Sequence, residues 1–136
     1  MRYLAIDYGK KRIGLAICDE AETIASPLTV IAGSKDALKK IIDLVDSEEV
    51  GAIVMGLPLN MDDSTGPQAK LVERFTEELE KLIDIPIHFQ DERLSTFSAE
   101  EKISAAQFTT GRKKKRLDAI AAAEILQSFL EKKNTQ

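Results

Sequence analysis

Residues 1–20 read MRYLAIDYGKKRIGLAICDE, and the fold follows from how this stretch is parsed. Residues 3–6 are short, apolar and rich in strand-forming side chains. Gly9 permits the backbone angles of a tight turn. Over residues 12–18, Ile13, Leu15 and Ile17 alternate with Gly14 and Ala16, the pattern of a returning strand. The stretch predicts an antiparallel hairpin with Asp7 at the end of its first strand. A carboxylate after an apolar run is costly unless its charge is compensated. Two readings of Asp7 stand side by side. It either ends a strand and bonds the amides of its own turn, or it is a metal ligand or phosphate-site acid. What else in the chain converges on it decides between them.

A length of 136 residues predicts one domain, spanning 1–136, with one core. Hydrophobic residues at 43% suffice for that core, and 31% charged residues suit a cytoplasmic protein. No apolar run is long enough to span a membrane. No signal segment is expected, because Asp7 interrupts the apolar N-terminal run. Cys18 is the single cysteine, which excludes an internal disulfide and fits a small buried side chain in a reducing compartment. His88 is the single histidine, which argues against a histidine zinc site or a Ser-His-Asp triad. The net charge of −4 does not mark a nucleic-acid binder, yet basic residues bunch at 10–12 and at 112–116.

Downstream of the hairpin, Pro27 precedes a third strand over 28–32. Ser34 is placed to cap a helix whose apolar face is Leu38, Ile41, Ile42 and Val45. Residues 52–55 form a continuous apolar run, as in a strand covered on both faces, and stop at Gly56-Leu57-Pro58. Thr65 and Gln68 have the spacing of a capping box, with Pro67 in the first turn. The helix that follows buries Val72, Phe75, Leu79 and Leu82. After Pro86 comes a strand over 87–90, then Asp91-Glu92-Arg93. A helix starting at Ser95 or Thr96 comes next, with Ser98 and Glu101 as a rival capping box. Residues 107–116 are polar and predict a mobile segment, and the last helix is expected over about 116–131.

Antiparallel strands followed by alternating elements predict an α/β fold: a five-stranded mixed sheet with helices on both faces. Right-handed crossovers place the fourth strand beside the first, giving the order 3-2-1-4-5 with Asp7 on the central strand. Sites in such sheets form beyond the carboxyl ends of the central parallel strands. Asp7 and Asp91-Glu92 both lie at such ends. Asp118 falls on the predicted inward stripe of the last helix with Ala121, Ala122, Ile125 and Phe129. Each acid also has a plain structural reading: a dipole partner for Asp118, a solvated turn for Asp91-Glu92. Inward acids without a counter-charge repel one another, and divalent metal resolves the conflict. Two such ions about 4 Å apart stabilise the attacking and leaving oxygens of phosphodiester cleavage. Lys10, Lys11 and Arg12, with Arg112, Lys113, Lys114 and Lys115, suit backbone phosphates, and Arg93 suits a bidentate phosphate clamp or a pair with Asp91. Aromatic residues at 5% predict recognition of backbone and shape without base stacking.

The segments DYGKKRIGLAICD, GLPLNMDDSTGPQA, DERLST and LDAIAAAEIL, in this order, resemble the YqgF (RuvX) family over nearly the whole chain. The resemblance implies a ribonuclease H-like fold and a nuclease dependent on Mg2+ or Mn2+, with two ions when substrate is bound. It implies that Asp7, Glu92 and Asp118 carry catalysis and hold the metal; Glu92 is preferred to Asp91 by resemblance alone. It implies the 5′ end of pre-16S rRNA as substrate, with the ribosomal small-subunit precursor as partner. The alternatives are a Holliday junction resolvase on branched DNA, a non-catalytic rRNA-binding module, and a phosphate-loop nucleotide binder suggested by DYGKKRIG. A monomer suffices for rRNA trimming, whereas a homodimer would supply the two sites a junction needs.

Overall fold

A computed structural model describes residues 1–59, 62, 64–92 and 111–135, with residues 111–116 as backbone alone. The hairpin is present as β1 (Tyr3–Asp7) and β2 (Arg12–Cys18), followed by β3 (Ala25–Ala32). Then come helix α1 (Ala37–Ser47), β4 (Ala52–Leu57), α2 (Pro67–Glu80), β5 (Ile87–Asp91) and α3 (Gly111–Asn134). The sheet order is β3-β2-β1-β4-β5, as expected. β2 runs antiparallel to β1 and β3, while β4 runs parallel to β1 and β5. Asp7 therefore ends the central strand.

Side-chain alternation splits the sheet into two faces. Leu4, Ile6, Ile13, Leu15, Ile53 and Met55 face one way and pack with Ile41 of α1 and Val72, Phe75 and Leu79 of α2. Tyr3, Ala5, Ala16, Cys18, Ala52 and Val54 face the other way, against Ala122, Ile125, Leu126 and Leu130 of α3. The second face is built largely from small side chains, so α3 settles close to the strands. Cys18 is a buried free thiol on this face, and its Sγ accepts from the Tyr3 amide at 3.2 Å.

Several local expectations are corrected. β3 begins at Ala25, so Pro27 lies inside it. This is tolerated because β3 is an edge strand and its register with β2 shifts at this place, between Leu15 and Ala16. The N-cap of α1 is Asp36, not Ser34, and that of α2 is Gly66, so the Thr65–Gln68 capping box does not form. Gln68 instead donates from Nε2 to the Tyr8 carbonyl at 3.1 Å, tying the start of α2 to the turn after Asp7. Leu82 is 54% exposed because α2 has already ended at Glu80. The basic run 112–116 is helical, and α3 starts at Gly111. Lysine and arginine are good helix formers, and that propensity outweighs the polar composition that suggested a mobile segment. The expected helix at Ser95 or Thr96, its rival capping box and residues 107–110 lie outside the described residues. Among the described residues, no helix is long and apolar enough to cross a membrane.

Candidate active site

Alternation along β1 sends Tyr3, Ala5 and Asp7 to the α3 face. In the β1–β2 ladder Asp7 lies opposite Gly14. A side-chain carbon added at Gly14 would fall on the backbone carbonyl of Asp118. The missing side chain is what lets the first half of α3 press onto β2, and the close approach brings Asp118 beside Asp7. Asp118 is half-buried, at the flank of the buried line Ala119, Ala122, Leu126 and Leu130. The expected stripe is thus rotated slightly, since Ala121 and Phe129 are only partly covered.

The third acid arrives from β5. Tyr3, Phe129 and His88 meet as a ring cluster on the α3 face, and Gln90, two residues on, is buried. By the same alternation Glu92 follows on that side and Asp91 does not. Gly56 of β4, paired with Gln90, supplies the room. A Cβ there would stand 2.8 Å from both Glu92 Oε1 and Ile125 Cδ1. Sequence reading placed that glycine at the stop of the strand, where it lets the backbone pass closely; it lies within β4, and the group it makes room for is the side chain of Glu92.

The carboxyls of Asp7 and Glu92 hydrogen-bond to one another. Two carboxyl groups share such a bond only by holding a proton. Burial of Asp7, then the charge of Glu92 and the bond to it, then the charge of Asp118, push its pKa from 3.8 up to about 8. Asp118 is held differently: Arg12 donates from Nε to Asp118 Oδ2 at 2.6 Å. Arg12, expected at a phosphate, thus spends at least one N–H on an acid of the cluster.

Lys10 and Lys11 are exposed on the turn after Asp7, and the turn is pinned where the Gly33 amide donates to the Lys11 carbonyl at 2.9 Å. The backbone of Arg112, Lys113, Lys114 and Lys115 occupies the start of α3, one to two turns before Asp118. Arg93 lies outside the described residues.

Among the described residues, no three His, Cys, Asp or Glu side chains stand at metal-ligating distances. The donor set nevertheless suits a hard divalent cation, because two contacting carboxyls held together by a proton offer oxygen ligands once that proton leaves.

A relative from Roseiflexus sp. (strain RS-1) is 46% identical over 96% of this chain and 94% of its own length. One from Anaeromyxobacter sp. (strain Fw109-5) is 44% identical over 96% and 97%. Both carry the name "Putative pre-16S rRNA nuclease". Among solved structures, Thermus thermophilus RuvC in complex with Holliday junction substrate is similar, with a TM-score of 0.62 at 13% identity over 99% of this chain and 97% of that one. The shared fold is ribonuclease H-like, and divalent-metal dependence is general among nucleases that have it. The model of the RuvX family, described as Holliday junction resolvase, matches residues 1–132, and the chain belongs to that family of nucleases.

Proposed function

We propose that this protein is an endonuclease, dependent on magnesium or manganese, that hydrolyses phosphodiester bonds of structured RNA, with the 5′ end of pre-16S rRNA as its substrate. The observation carrying the reading is the bonded Asp7–Glu92 pair at the carboxyl ends of the strands, with Asp118 beside it. In this reading Asp7, Glu92 and Asp118 hold the cations, which supply positive charge to the attacking and leaving oxygens. Holding a cation there would require the Asp7–Glu92 pair to release its shared proton to solvent. Arg12 keeps Asp118 in position through its 2.6 Å bond. Lys10, Lys11 and the basic start of α3 draw the backbone phosphates over the acids. RNA is favoured over DNA by the names of the relatives. One active site suffices for such trimming, so a monomer is a sufficient working unit.

The test is cleavage of a 5′-extended 16S rRNA precursor and of a four-way DNA junction by wild type and Asp7→Asn, with magnesium. Cleavage of the precursor by wild type alone supports the reading. Cleavage of the junction alone replaces it with junction resolution. Equal cleavage by Asp7→Asn removes Asp7 from the site. If neither protein cuts, and Lys113, Lys114 and Lys115 changed to Ala abolish precursor binding, the chain is a binding module.

A further inference from the structure

The low aromatic content predicts no surface for base stacking, yet the fold gathers three of the few rings at one place. Tyr3, His88 and Phe129 stand in mutual contact, with ring centroids 5.3 to 6.4 Å apart and tilted planes. They line a cavity of about 280 Å³ with Phe89, Gln90, Lys132 and Lys133. The cavity lies between the second half of α3 and the outer strand β5. Tyr3 is buried, whereas His88 is exposed and offers its ring to an incoming group. Lys132 is exposed at the mouth, and Lys133 is held in place by Glu22 at 2.7 Å. Among the described residues no carboxylate lines the cavity, although the chain is acidic overall.

The position relates this cavity to the acids. Tyr3 and Asp7 lie on one face of β1, four residues apart, as do His88 and Glu92 along and just past β5. Four residues of strand span about 13 Å. Both places open toward the α3 face. The volume is at the lower end for ligand cavities and accommodates one base rather than a helix or a folded partner. Bases inside an A-form duplex are stacked on each other and are not available to such a cavity. An unpaired base has a free π face for a ring, and its phosphate suits a lysine.

We infer that the cavity lined by Tyr3, His88, Phe129 and Lys132 binds one unpaired nucleotide of the substrate strand, its base against the rings and its phosphate at Lys132. This deepens the nuclease reading and rests on it for the identity of the strand. A single-stranded stretch next to the cut would then be gripped through a base, and a fully paired end would not.

The test measures binding without metal, by fluorescence anisotropy, so that no cleavage is needed. The probes are a blunt RNA hairpin, the same hairpin with a four-nucleotide unpaired extension on the 5′ or the 3′ side, and extended hairpins with abasic residues. Wild type should bind one of the base-bearing extensions roughly tenfold more tightly than its abasic counterpart, the scale of one stacked base. His88→Ala and Lys132→Glu should each lose most of that difference, and His88→Phe should keep it. Binding of the blunt hairpin should stay the same in all of them. Equal affinity for base-bearing and abasic probes overturns the inference. So does a His88→Ala loss that is as large for the blunt hairpin. AMP that displaces the extended probe at equal concentration would assign the cavity to a free nucleotide and overturn the strand assignment. A chain that cut neither RNA nor DNA would still give the base-dependent binding, so the two readings fail separately.

Discussion

The backbone carbonyl of Asp118 rests on Gly14, and Gly14 is the ladder partner of Asp7. A glycine without any catalytic group thus sets the separation of two acids 111 positions apart in sequence.

Gly14→Ala should therefore be far more damaging than its size suggests. The obstacle is helix backbone, which cannot turn aside as a side-chain tip can. We expect a loss of about 2 kcal/mol or more in stability and a roughly 100-fold loss of cleavage from displacement of Asp118. Thermal unfolding and single-turnover cleavage measure the two. Wild-type values in both would mean that α3 does not press on β2 here.

Gly56→Ala makes the opposite contrast. Its obstacles are Glu92 Oε1 and Ile125 Cδ1, the ends of movable side chains. Stability should fall by only about 1 kcal/mol, while cleavage should fall at least tenfold because Glu92 is the group that yields. A stability loss equal to that of Gly14→Ala, with activity intact, would contradict this placement of Glu92.

The raised pKa of Asp7 gives the metal-free protein a definite pH dependence. Below the ordinary value of 3.8, folded and unfolded chains are both protonated at Asp7, and no penalty exists. Between 3.8 and about 8 the unfolded chain releases the proton while the folded chain keeps it, so stability declines as pH rises. Above about 8 the decline from this group is complete. In metal-free buffer, Asp7→Asn should flatten the decline and raise the melting temperature at pH 8 by about 5 °C or more. Added magnesium should stabilise wild type at pH 8 and leave Asp7→Asn nearly unchanged. A melting temperature for wild type that rises from pH 5 to pH 8 without metal would contradict the shared proton.

Arg12→Ala should cost less than about 1 kcal/mol, because both partners of its ion pair are about one-third exposed. Its effect on cleavage should be larger, at roughly tenfold, and Arg12→Lys should not restore it, since a lysine cannot reproduce the planar Nε donor. Steady-state kinetics on precursor RNA would show the loss. Full activity in Arg12→Lys would reduce the role of Arg12 to charge alone.

Replacing Lys113, Lys114 and Lys115 with Ala should weaken RNA binding without altering the preference among RNA sequences. The slope of log affinity against log salt should become shallower by about 0.7 to 0.9 for each phosphate that a lysine no longer neutralises. An unchanged slope would remove the start of α3 from the nucleic-acid surface.

The sheet order was legible because the short apolar runs and turn signals of residues 1–91 leave few alternatives once crossovers are right-handed. The place of Asp7 followed from that order. The choice of Glu92 over Asp91 was not legible from spacing, since neighbouring strand residues point to opposite faces and the parity is set by His88 and Gln90 meeting α3. The start of α3 was misplaced because a polar, glycine-containing run was read by its polarity and not by the helix propensity of its lysines and arginines. The ring cluster escaped notice because Tyr3, His88 and Phe129 come from three segments, each ordinary in its own neighbourhood.

The bed of alanines under α3, formed by Ala5, Ala16 and Ala52 against Ala122, has a consequence for how such a protein diversifies. Its tight seat holds one acid in register whatever the outward-facing residues of that helix become. Substitutions on the solvent side of the same helix leave that seat, and with it the placement of Asp118, unchanged.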